Sequence, residues 1–153
     1  MVEENPMAHY SDLKKELARY SRTYRHPKLP PLRLSGLYAL FPEKYKTLPK
    51  GVTGCWPDDD WPNGDKPGVY IFLNSKLNVL YIGKASLLKD RLGVYFRYDD
   101  LNRCEIPDEH GWEVKPEFVV TIGIPAKTTF ESSALEEYLI SRLQPSQNTV
   151  GIK

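Results

Sequence analysis

The sequence predicts an α+β domain, a small three-stranded β-sheet flanked by helices with an N-terminal helical extension, and three observations carry that prediction. Residues 69–73 and 79–82 are short runs rich in β-branched and aromatic side chains. They bracket Asn74-Ser75-Lys76-Leu77-Asn78, a five-residue connection that suits a β-hairpin. Phe118 to Ile124 forms a third strand-like run, stopped by Pro125. Helical segments fill the intervals: Ser86 can cap a helix over 86–96, and Thr128-Thr129-Phe130-Glu131 has the capping-box pattern that opens a helix to about Leu143. Strand, strand, helix, strand, helix is the order of a sheet with helices layered on it.

Upstream of the hairpin, residues 11–24 have helix-forming composition with Ser11 as N-cap, and Pro27, Pro30 and Pro31 end that helix. A second short helix is expected over 36–45. Residues 48–67 hold four prolines, three glycines and Asp58-Asp59-Asp60, and read as loop. Residues 99–116 read as a second long loop, mostly acidic. The expected division is therefore a basic helical extension with a Pro/Gly-rich loop over 1–65 and a compact domain over 66–153.

At 153 residues the chain is long enough to bury a core. Hydrophobic residues make up 41% and charged residues 27%, ordinary values for a soluble globular protein. No apolar run approaches the roughly 20 residues of a membrane span. The opening Met-Val-Glu-Glu-Asn-Pro is acidic and is not expected to be a secretory signal. Cys55 and Cys104 lack metal-knuckle neighbours and read as free thiols of a cytoplasmic protein. The net charge of +1 conceals a basic block: between Leu13 and Leu34, seven cations (Lys14, Lys15, Arg19, Arg22, Arg25, Lys28, Arg33) face one acid, Glu16. Such a block serves either as a footprint on phosphates, carried by Lys14, Lys15, Arg19, Arg22 and Arg25, or simply as a solvated helix face.

Helical geometry singles out one acid. With Leu135 at zero, Leu139 falls at about 40°, Leu143 at about 80° and Ile140 at about 140°, and Glu136 lands inside that arc at about 100°. Glu137, at about 200°, points away. A carboxylate in an apolar stripe is costly unless a cation meets it or a proton neutralises it. The earlier helix shows the opposite sign: with Leu87 at zero, Val94 at about 340°, Leu88 at about 100° and Leu92 at about 140°, Arg91 at about 40° and Tyr95 at about 80° fall in the stripe. Arg91 and Glu136 could form a buried structural ion pair, or the guanidinium could be held for phosphate oxygens. On the hairpin, Tyr70 shares a face with Gly68 and Phe72, and Tyr81 with Val79 and Gly83. Strand tyrosines are ordinarily packing residues. Gly83 ends the strand at a sharp turn that would bring Lys84, Arg91 and Tyr95 around one sheet edge.

These residues resemble the GIY-YIG nuclease family. Gly68-Val69-Tyr70 matches its first signature with valine for isoleucine, and Tyr81-Ile82-Gly83 matches the second. Tyr81 to Ala85, Leu88, Arg91 and Tyr95-Phe96, then Ala134 to Ile140 with Pro145 and Asn148, look most like the nuclease domain of the UvrC branch. The likeness covers roughly Lys66 to Asn148. Residues 99–117 are longer than that pattern expects, and the first 65 residues match nothing in it. The remaining domains of UvrC have no counterpart in this sequence, so a complete excision-repair incision role is not expected.

The resemblance implies a GIY-YIG fold and hydrolysis of a DNA phosphodiester bond (RNA is left open) with a single Mg²⁺, or Mn²⁺, held by Glu136. It implies that Tyr70 activates the attacking water with Lys84 favouring its phenolate. Arg91 would hold a non-bridging oxygen, Tyr81 and Tyr95 would position water and phosphate, and Asn148 would brace the site. A module that keeps the fold and binds nucleic acid without cutting is the alternative. Asp58-Asp59-Asp60 reads as solvated rather than metal-binding, and His9, His26 and His110 as surface residues. Trp56, Trp61 and Trp112 would anchor loops or stack on bases.

Overall fold

The structure, a computed structural model, describes residues 7–148. The acidic opening segment, residues 1–6, lies outside the described residues. The chain runs α1 (Tyr10–Tyr24), β1 (Arg33–Leu34), β2 (Leu37–Ala39), β3 (Val52–Cys55), β4 (Gly68–Leu73), β5 (Val79–Ala85), α2 (Leu88–Tyr95), β6 (Arg97–Tyr98), β7 (Cys104–Glu105), β8 (Phe118–Gly123) and α3 (Glu131–Leu143).

The expected hairpin and third strand form the antiparallel heart of a mixed sheet. β4 pairs with β5 on one side and β8 on the other, with Tyr70 opposite Gly83 and Phe72 opposite Tyr81. Among the described residues the sheet has six strands in the order β3-β2-β8-β4-β5, with β1 also on β8. β5 is thus an edge strand.

The extra strands come from the segment expected to be helix and loop. Leu37 and Ala39 enter one core while Tyr38 and Leu40 enter the other, a period of two that no helix provides. β3 then pairs in parallel with β2 inside the supposed loop. The residues before 66 therefore supply strands to the same sheet as those after it. The 99–116 segment likewise holds β7, which pairs with β6, and a single 3-10 turn at Asp108–His110.

Alternation along the strands splits the core in two. On one face Val69, Ile71, Leu73 and Ile82 pack against Leu13, Leu17 and Tyr20 of α1 and Leu135, Leu139 and Leu143 of α3. On the other, Tyr70 and Phe72 pack against Leu88, Leu92 and Tyr95 of α2, with Phe96, Trp61 and Tyr38 around them. α1 is capped by His9 rather than Ser11: the Ser11 N–H donates to His9 Nδ1 at 3.1 Å, and the His9 N–H to Asp12 Oδ2 at 2.9 Å. α3 begins at Glu131, after Phe130 and without a side-chain cap, instead of within a Thr128 capping box; the Glu131 carboxylate meets Arg25 and Tyr20. α2 buries only part of its expected face. Its buried residues are Leu88, Leu92 and Tyr95, while Val94 is 46% exposed and Arg91 lies at the solvent rim.

Candidate active site

Two glycines permit the close packing at the hairpin. A Cβ on Gly68 would overlap the Ile122 carbonyl oxygen, so the β4–β8 approach admits no side chain there. A Cβ on Gly83 would overlap the Tyr70 hydroxyl, because the Tyr70 ring folds over its register partner. Each signature therefore couples a tyrosine or a strand pairing to a glycine that makes room for it.

On the α2 face Tyr70, Tyr81 and Tyr95 gather, with ring centroids 5.8 to 6.3 Å apart. The Tyr70 and Tyr95 hydroxyls stand 3.3 Å from each other. Arg91 spans both, donating from Nε to the Tyr70 hydroxyl at 3.4 Å and from a terminal nitrogen to the Tyr95 hydroxyl at 3.4 Å. Burial pushes the Tyr70 phenol well above its ordinary value, and Arg91 only partly opposes it. Tyr81, half-buried, is pushed up to about 12, again chiefly by burial, with the charge of Glu136 among the smaller causes.

Glu136 comes from the opposite face of the sheet. It is half-buried, and its carboxyl is raised by burial against the opposing pull of the Lys84 charge and backbone N–H nearby. Among the described residues it has no ion-pair partner, so the expected alternative of an Arg91–Glu136 bridge is not realised. The two charges approach the edge of β5 from either side instead.

Lys84 departs from its expected place. It stands opposite Val69 in register, and its ammonium donates to Ser133 Oγ at 2.8 Å. The cation beside Tyr70 is Arg91. Asn148 clamps the exposed edge of β5, its amide oxygen taking the Ile82 N–H at 2.9 Å and its nitrogen donating to the Ile82 carbonyl at 2.8 Å. That pairing satisfies backbone groups an edge strand would otherwise leave open.

Sequence does not place two neighbours of the cluster at the site, although Trp112 is expected to anchor its loop and does so. Trp112 packs edge-on to Tyr81 at 5.6 Å and lies 5.8 Å from Tyr95. His110, expected at the surface, is 11% exposed, sits 4.8 Å from the Tyr95 ring and contacts the Val94 carbonyl at 3.1 Å. Both come from the long 99–117 segment, whose path no local pattern reveals.

The basic block divides. Lys14, Lys15, Arg19 and Arg22 face solvent, with Arg19 3.4 Å from Glu16. Arg25 does not: its guanidinium is 6% exposed and grips Glu131 at 2.6 and 3.1 Å, where Tyr20 also donates at 3.0 Å. It cannot grip a nucleic-acid backbone while so engaged. Of the three aspartates, Asp59 caps the Cys55 N–H at 2.9 Å, and no group of three or more His, Cys, Asp or Glu among the described residues could hold a metal. Trp56 and Trp61 stack on each other at 4.3 Å, with Trp61 buried against Tyr38 and Phe96.

A family model described as the UvrC-like GIY-YIG domain matches residues 66–149. UvrABC system protein C of Syntrophomonas wolfei is 32% identical over 83 residues, 54% of this chain and 13% of that protein. Its counterpart in Chlamydia abortus is 38% identical over 84 residues, again 13% of its length. The chain thus matches only a small part of these relatives. Among solved structures, the GIY-YIG N-terminal endonuclease domain of UvrC from Thermotoga maritima, bound to magnesium as its catalytic divalent cation, is 34% identical over 56% of this chain and 86% of that one, with a TM-score of 0.40. The match of the family model over more than half of the sequence, which takes in every residue of the tyrosine, arginine and glutamate cluster, makes this chain a member of the UvrC-like GIY-YIG domain family.

Proposed function

We propose that the chain is a metal-dependent endonuclease that cuts a DNA strand at the β5 edge. The observation that carries this reading is Glu136: a half-buried carboxylate without an ion-pair partner among the described residues, across a strand edge from a guanidinium held by two phenols. A hard divalent cation prefers oxygen ligands and is commonly held by one or two carboxylates, with water and phosphate oxygens completing its shell. The donor set here fits that demand, with Glu136 as the protein ligand for Mg²⁺, or Mn²⁺. Such an ion supplies positive charge to the leaving 3′ oxygen and to phosphorus.

The chain's own groups perform the rest. Arg91, at the rim and preoriented by Tyr70 and Tyr95, holds a non-bridging phosphate oxygen and stabilises the charge that builds on it. Tyr70 is the base toward water, and its proton leaves only when local positive charge offsets its burial, a role that falls to Arg91 rather than Lys84. Tyr81 and Tyr95 position water and phosphate through their hydroxyls. Asn148 holds β5 in place beneath them. The solvent-facing Lys14, Lys15, Arg19 and Arg22 follow the nucleic-acid backbone.

Tyr70 is only 1% exposed, and that burial favours a second reading, a nucleic-acid-binding module that does not cut. The test is incubation of the protein with supercoiled DNA, branched DNA and RNA in Mg²⁺, with and without chelator, beside Glu136→Ala. Chelator-sensitive nicking lost in Glu136→Ala supports the enzyme. Retention of every nucleic acid without a nick leaves the binding module.

A further inference from the structure

Beside the proposed active site lies a groove of about 590 Å³ lined by Pro67, Lys84, Ser86, Thr129, Phe130 and Ser133 among others. It adjoins a second hollow of about 360 Å³ that contains Arg91, and the two share Lys84, Ala85 and Ser86. Together they make one trough that runs from Arg91 across the end of β5 to the first turn of α3. Lys84 joins trough and carboxylate: it lies close enough to Glu136 for its charge to oppose the effect of burial there, and its ammonium donates to Ser133. The larger groove has one cation, several hydroxyls and no acid in its lining.

Phe130 stands at its wall with 78% of its surface exposed, the most exposed large hydrophobic side chain among the described residues. Isolated apolar residues on a surface are common and need no explanation. This one differs in place: no described aromatic ring packs on it, and it overlooks a ligand-sized groove that runs into the hollow lined by Arg91 and its neighbour Asp90. An exposed aromatic face beside a cationic track is how single strands are held, since every base offers a face for stacking.

We propose that this groove seats the nucleotide flanking the scissile phosphate, with Phe130 stacked on its base and Lys84 facing the adjoining phosphate. This deepens the endonuclease reading and rests on it. The arrangement requires the flanking base to leave its partner, so the preferred substrate is a strand already unpaired at that position, such as a branch, a flap or a mismatch.

The experiment uses the full chain and an oligonucleotide whose nick has been mapped in Mg²⁺. 2-Aminopurine is placed at each position flanking the nick, and its fluorescence is followed with the non-cutting Glu136→Ala protein carrying Phe130, Phe130→Ala or Phe130→Trp. The expected result is a signal change at one flanking position, lost with Phe130→Ala and restored with Phe130→Trp. Binding should weaken about fivefold to a hundredfold in Phe130→Ala, and an abasic site at that position should remove most of the difference. Nicking and binding that ignore Phe130, with no position reporting on it, overturn the groove and leave the nuclease standing. Absence of nicking by the unsubstituted protein on every substrate overturns both.

Discussion

Glu131 and Glu136 stand on one helix, α3, and meet opposite environments. Glu131 is buried, gripped by Arg25 and Tyr20, and although burial alone would raise its carboxyl, those hydrogen bonds outweigh it and hold the group below its ordinary value of 4.5. Glu136 is half-buried, has no ion-pair partner among the described residues, and is held above 4.5 by burial. A buried charge with a guanidinium and a phenol is satisfied and holds α1 to α3. A carboxylate left without an ion-pair partner among the described residues is the one the proposed cation would need. Two acids on the same helix, one structural and one available, separate the scaffold from the chemistry.

Glu131→Ala should show the larger effect on stability. It leaves the Arg25 guanidinium buried without its partner, a change worth about 3–5 kcal/mol in urea unfolding. The pH dependence has a definite sign. A carboxyl depressed on folding contributes fully above its unfolded value near 4.5, and that contribution is lost as pH falls through the folded value. Stability should therefore fall more steeply on acidification in the native protein than in Glu131→Gln, which lacks that contribution at every pH. Glu136, raised on folding, acts the other way: between 4.5 and its folded pKa, stability grows as pH falls, and Glu136→Gln should remove that slope.

Glu136→Ala should leave the fold intact and lower Mg²⁺-dependent nicking by about 10²–10³-fold, the scale of losing one electrostatic contributor to a transition state. Equal nicking by both proteins would end the distinction between the two acids. Next in size is the response to metal alone. Mg²⁺ at ten times its Kd should stabilise the native protein by about 1.4 kcal/mol, which is about 3–5 °C in Tm for a chain of this size, and should not move Glu136→Gln. A Tm shift that survives that substitution would place the ion elsewhere.

The smallest effect concerns the cations. Neutralising Lys14, Lys15 and Arg22 should lower the salt dependence of DNA binding by up to about 0.9 in slope for each phosphate no longer neutralised. Arg25→Gln should instead behave like a core mutation, lowering stability in urea unfolding. A salt slope unchanged in the triple variant would remove α1 from the nucleic-acid surface.

Much of the site was legible along the chain because local patterns carried it. The hairpin announced itself through two β-rich runs around a five-residue turn, and it is there as β4 and β5. The 3.6-residue period of α3 separated Glu136 from Glu137, and the structure leaves the first half-buried and the second exposed. The same reasoning succeeded only in part on α2: Leu88, Leu92 and Tyr95 are buried as the stripe expected, but only eight residues are helical and Val94, at the edge of that stripe, stands at the rim. It failed at Leu37–Ala39, where a strand three residues long is too short to show its alternation among prolines and glycines.

Sequence alone thus determined the elements with a period of their own, the glycine–tyrosine signatures and the one acid placed against the hydrophobic pattern, since each depends on neighbours within a few residues. Tertiary structure alone decided which cation meets which acid. Arg25 and Glu131 are separated by 106 residues, and Lys84 reaches Ser133 of α3 from β5 while Arg91 reaches Tyr70 from α2. A charge finds its partner through space, and only the folded sheet brings α1, α2 and α3 close enough for burial and Coulomb attraction to choose.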